Sequence, residues 1–126
     1  MKKISEEIKG KFDLEDRLIE FAVMVIDIIE SLPETRTCTH LGGQLLRSGT
    51  SAALNYGEAQ GAESRKDFVH KIKVILKELR ESRICLRILS RRSLLQSHSV
   101  LSECNELVAI FTTSVKTASS NRGNDG

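Results

Sequence analysis

Three rows of apolar residues, each stepping alternately by four and by three, constrain this chain more than anything else in it. Leu14, Leu18, Phe21, Val25, Ile28 and Leu32 make the first row. Phe68, Ile72, Ile75, Leu79, Ser82, Leu86 and Leu89 make the second, and Leu101, Cys104, Val108, Phe111, Val115 and Ala118 the third. At about 3.6 residues per turn this spacing gathers each row on one side of an α-helix, which must then be buried against other helices. Aromatic residues are only 4% and Pro33 is the single proline, which fits helices filled with Leu, Ile and Val better than a β-sandwich.

Between the first two rows lies a segment that also reads as a helix, though a poor one. Gly42, Gly43, Ser48, Gly49, Ser51, Ala52, Ala53 and Gly57 give it little intrinsic stability, since each glycine costs about 1 kcal/mol against alanine. Close approach of another backbone is the expected compensation. Asp13 is a candidate N-cap for the first helix, with Asp16 adding charge at the positive end of its dipole, and Pro33 stops that helix. Ser64, with Asp67 three residues on, signals the start of the third.

The spacing therefore predicts helices over 13–32, 38–59, 65–91 and 99–118, with 119–126 a frayed tail. The expectation is an all-α protein, an up-down-up-down antiparallel four-helix bundle forming a single domain over residues 1–126. A second stripe on the first helix (Ile19, Ala22, Ile26, Ile29), with Ile84 and Ile88 on the outer side of the third, exceeds what a monomeric bundle buries. That surplus implies a homo-oligomer.

Charge is unevenly spread although the net value is only +2. Residues 1–34 carry a balance of −4 and residues 65–92 one of +7. Helical rotation brings Lys66, Lys73, Lys77, Arg80, Arg87 and Arg91 into one stripe along the third helix. Such a stripe can follow the phosphates of RNA or DNA. The alternative is a solvated face, partly neutralised by the acidic first helix or by Glu78 and Glu81. Few aromatics are available to stack bases, so recognition of single-stranded sequence is not expected.

Ser51, Asn55 and Glu58 share one face of the second helix. Two readings are open: a functional polar patch, or a structural network or interface with the third helix in which Glu81 and Arg80 or Arg83 are partners.

No chemistry-bearing motif accompanies these features. His40, His70 and His98 lie on different elements, and the chain has no Glu-x-x-His of the di-iron bundle type. Gly42-Gly43 lacks the spacing of a phosphate-binding loop. Cys38, Cys85 and Cys104 have neither disulfide nor zinc spacing and read as packed, reduced thiols. No enzyme activity, cofactor or metal is expected. No apolar run reaches a membrane span, and Glu6, Glu7 and Lys9 interrupt any signal peptide, so a cytoplasmic protein is expected.

Gln44-Leu45-Leu46-Arg47, then Ser51, Asn55 and Glu58, then the Lys66 to Leu89 segment KDFVHKIKVILKELRESRICLRIL carry a resemblance. Over about residues 12–118 the chain resembles the four helix bundle protein family, also called 23S rRNA intervening-sequence proteins. The resemblance implies an up-down bundle, a homopentamer, and a link to intervening sequences of ribosomal RNA genes. A relative of that family, the accessory variability determinant of diversity-generating retroelements, binds nucleic acid and a reverse transcriptase through a basic pentameric barrel. The family often has proline where this chain has Ala53, so the kink a proline imposes on the second helix is not expected. Together these readings point to a non-enzymatic, nucleic-acid-associated protein, with a protein-binding scaffold as the alternative.

Overall fold

The structure, a computed structural model, describes the backbone of residues 2–125 and the side chains of residues 14–120. Among the described residues there are four α-helices and no strand: α1 (Lys2–Ser31), α2 (Arg36–Gln60), α3 (Arg65–Arg91) and α4 (Ser99–Asp125). Each helix packs on the next and α4 returns to α1, while the diagonal pairs make no close backbone approach among the described residues. The α2–α3 contact is the most extensive and the α1–α4 contact the least.

The three rows meet in the middle of this arrangement. Leu18, Phe21 and Val25 of α1 join Ile75, Leu79, Leu86 and Leu89 of α3, and Cys104, Val108 and Phe111 of α4, in one buried cluster. Leu45, Ala52 and Ala59 are the contribution of α2. Phe68 departs from its row: in the first turn of α3 it remains 40% exposed, beside a hollow it shares with Leu14, Tyr56 and Phe111.

Compensation for the small residues of α2 falls on two of its glycines. A Cβ built on Gly49 would lie 3.1 Å from both γ-methyls of Val25, and one on Gly42 would lie 3.4 Å from Ile29 Cγ2. Both glycines are buried, so α1 approaches α2 more closely than side chains there would allow. Gly43 and Gly57 face open space and give no such contact.

Helix ends differ from expectation in three places. α1 already begins at Lys2, so residue 13 lies inside it and the expected N-cap has no orphan first turn to serve; the Asp13 side chain lies outside the described residues. α2 begins at Arg36, where Thr35 Oγ1 accepts from the Cys38 N–H at 3.1 Å. Pro33 ends α1 so abruptly that the next cap follows two residues later. α4 runs on to Asp125 where a frayed tail was expected, because no glycine or proline precedes Gly123 to stop it. Ala118 is its last buried residue among those whose side chains are described. α3 matches its predicted span, with Ser64 Oγ accepting from the Asp67 N–H at 3.0 Å.

The α3–α4 turn is closed by Ser93 at φ 57°, with the Leu94 N–H donating to the Leu89 carbonyl at 2.9 Å. This is a left-handed helix terminus, a conformation costing an L-residue about 1–2 kcal/mol.

Candidate nucleic-acid interface

The face of α3 turned away from the core carries the six cations singled out from the sequence. Lys66, Lys73, Lys77, Arg80, Arg87 and Arg91 are all exposed. None of them forms an ion pair among the described residues. From Lys66 to Arg91 the stripe spans roughly 38 Å at about 1.5 Å per residue.

Neither source of neutralisation considered from the sequence reaches it. α1 and α3 lie diagonally across the core, so the acidic first helix does not face the stripe on the outer side of α3. Arg17 of α1 turns instead to α4, where its guanidinium donates to both carboxylate oxygens of Glu103, at 3.2 and 2.6 Å. Glu78 and Glu81 point the other way around α3, toward α2, and both accept from Arg47; the Arg47–Glu78 bond is 2.8 Å. Two apolar side chains interrupt the stripe. Ile84 and Ile88 are 50% and 42% exposed. With Arg87 and Arg91 they line a hollow of about 230 Å³.

The polar face of α2 is organised differently from the expected network. Asn55 Nδ2 donates within its own helix, to the Ser51 carbonyl at 2.9 Å and Ser51 Oγ at 3.0 Å. Glu58 accepts from Lys71 at 3.4 Å near the surface. Glu81 accepts from Arg47 and from neither Ser51 nor Asn55. The three residues do share a face; Glu58 alone reaches α3, through Lys71 rather than through Arg80 or Arg83, while Asn55 and Ser51 bond each other along α2.

The buried α2–α3 polar contact belongs to residues one turn earlier. Ser48 and Ser82, both fully buried, share a 2.7 Å hydrogen bond, and Arg47 clamps Glu78 and Glu81 beside them. Ser82 carried a signal for this: a hydroxyl in an otherwise apolar row must find a buried partner. Arg83 lies on the α4 side of α3, with its Nε buried and without a hydrogen-bond partner.

Titratable groups elsewhere are dispersed. His40, His70 and His98 are all exposed, on α2, on α3 and before α4. Cys38, Cys85 and Cys104 are buried and free. Burial pushes the Cys104 thiol up to about 12, with the nearby Arg83 charge opposing, and its Sγ contacts the Leu79 carbonyl at 3.4 Å. Cys85 is raised by burial, against the pull of Arg47, and Tyr56 is raised by burial also. Among the described residues no group of three or more His, Cys, Asp or Glu side chains comes together in a way that would hold a metal ion. No helix among them is long and apolar enough to cross a membrane.

No curated protein matches the chain. A crystal structure of a protein of unknown function from the S23 ribosomal protein family of Bacteroides thetaiotaomicron is similar to it, with 30% identity and a TM-score of 0.75. The similarity covers 82% of this chain and 98% of that one. The family model of the 23S rRNA-intervening sequence protein matches residues 11–113, which takes in the three apolar rows almost entirely, the small-residue helix and the basic stripe. The chain belongs to the 23S rRNA-intervening sequence protein family.

Proposed function

We propose that this is a non-enzymatic, oligomeric protein of the cytoplasm that associates with nucleic acid through the outward face of α3. Its subunit is an up-down-up-down bundle, and the assembly is a homopentamer, as the family resemblance implies. One observation carries the reading: six exposed cations lie on one face of one helix, and none is paired among the described residues. Unpaired cations release condensed counterions from a phosphate backbone on binding, a gain that needs no base contact. Repetition of the stripe around a ring multiplies weak contacts through avidity. Long RNA is therefore the preferred ligand over short oligonucleotides, with little dependence on sequence.

The test is retention of long RNA by the purified protein across a salt series. If all six cations engage single-stranded RNA, log affinity should fall with log salt at a slope of about four, from about 0.7 per phosphate. Lys66→Glu, Lys73→Glu and Lys77→Glu together should abolish retention and leave the assembly intact. Absence of retention by the wild type at about 0.15 M salt, or unchanged retention by the triple variant, overturns the reading.

A protein-binding scaffold is the second reading, and Ile84 and Ile88 favour it. Apolar side chains within the stripe serve a protein surface rather than a phosphate chain.

A further inference from the structure

The acidic helix α1 and the basic helix α3 each present an apolar row to solvent, and the two rows are complementary. On α1 the row is Ile19, Val23 and Ile26, exposed at 47%, 43% and 36% and spaced by four and three. Helical rotation places Asp16, Glu20 and Asp27, all exposed, along one edge of it. Between residues 14 and 34 the only basic group is Arg17, which is turned to Glu103 of α4. On α3 the row is Ile84 and Ile88, bordered by Arg87 and Arg91 around the 230 Å³ hollow.

We infer that α1 of one copy docks on the C-terminal half of α3 of the next, with Ile19, Val23 and Ile26 against Ile84 and Ile88. Asp16, Glu20 and Asp27 then meet Arg87 and Arg91 across the contact. This rests on the oligomeric part of the reading above and adds which surfaces meet. Charge decides the pairing. A two-fold contact through α1 would set carboxylate against carboxylate, and one through α3 would set guanidinium against guanidinium, each costing specificity and encounter rate. Only the head-to-tail contact pairs opposite charges around both apolar rows.

The fold allows one subunit to use both faces at once. α1 and α3 are diagonal, so neither covers the other. A heterologous contact of this kind, repeated from copy to copy, generates a ring where its rotation closes. The stripe on α3 is thereby divided: Arg87 and Arg91 serve the neighbouring copy, and Lys66, Lys73, Lys77 and Arg80 remain for phosphate, which lowers the expected salt slope to about three.

Light scattering after gel filtration tests the pairing through charge exchange. Wild type should run as a multiple of the 14.0 kDa chain. A set carrying Asp16→Lys, Glu20→Lys and Asp27→Lys should fall to a single chain, and so should Arg87→Glu with Arg91→Glu. All five changes together should restore the assembly. Circular dichroism should show unchanged helicity throughout, because every changed position is exposed. A reversed set that assembles as wild type does, or a combined variant no better assembled than its parts, overturns the pairing while the oligomeric reading stands. A monomeric wild type overturns both. Should a reversed set lose helicity, Ile84→Gln alone must weaken assembly about tenfold or more in dissociation constant, and unchanged assembly of that variant overturns the pairing.

Discussion

Replacing Gly49 by alanine should destabilise the protein relative to the same change at Gly43 or Gly57, although all three glycines are in one helix. Alanine gains about 1 kcal/mol of helix propensity at each position. At Gly43 and Gly57 the new methyl meets nothing within 4 Å, so that gain appears undiminished. At Gly49 the methyl lies 3.1 Å from both γ-carbons of Val25. Val25 is fully buried and β-branched, with a stiff χ1, so it cannot swing aside and the helices must separate. Overpacking of this kind costs about 1–3 kcal/mol. Gly49→Ala should therefore fall about 1–3 kcal/mol below the two control variants, near neutral to about 2 kcal/mol worse than wild type. For a domain of this size the gap corresponds to roughly 3–15 °C in midpoint. Urea unfolding at one fixed protein concentration measures it, since assembly adds its own stability. Val25→Ala combined with Gly49→Ala should lose less than the sum of the two single changes, because the shortened side chain removes the clash. A Gly49→Ala variant as stable as Gly57→Ala would refute the claim that α1 and α2 are held at backbone range by this glycine.

Arg47→Met should destabilise by about 1–3 kcal/mol, because Glu78 is 5% exposed and loses the guanidinium that satisfies it; adding Glu78→Gln should recover part of the loss in the same unfolding assay. Ser82→Ala should cost about 1 kcal/mol by removing the buried bond to Ser48, whereas Ser48→Ala with Ser82→Ala should cost less than twice that, since no buried hydroxyl is left unpaired. Cys104 should resist a thiol reagent at pH 8 until urea unfolds the chain, as mass spectrometry of the labelled protein would show, because its thiol stands at about 12 in the fold against an unperturbed 9.0. The same shift means its contribution to stability is complete below about pH 9 and is lost as pH rises toward 12, where the unfolded chain gives up the proton first.

Helix identity was legible in the chain because it depends on local spacing. The rows from Leu14, Phe68 and Leu101 needed only the helical period, and Ser64 with Asp67 marked the start of α3 through a contact three residues long. Termini were less legible. The N-cap assigned to Asp13 rested on a good capping residue in a segment whose upstream Lys, Glu and Ile residues also favour helix, and nothing local chooses between starting there and starting at Lys2. The end at residue 118 failed for the converse reason, since loss of core contact does not by itself terminate a helix.

The candidate site divides along the same line. That Lys66, Lys73, Lys77, Arg80, Arg87 and Arg91 share a face follows from rotation about one helix, and the sequence alone determined it. Whether those charges are neutralised depends on which helices are neighbours, and only the tertiary structure decided it: α1 lies diagonal to α3, and Arg47 draws Glu78 and Glu81 to the other side. Ser51, Asn55 and Glu58 were correctly placed together on α2, yet their partners were not foreseeable. A shared face fixes direction about one axis, while a hydrogen bond also needs the register between two axes. That register is set by Gly42 and Gly49 against α1 and by Ser48 against Ser82, contacts between residues far apart in the chain whose spacing exists only once the helices have packed.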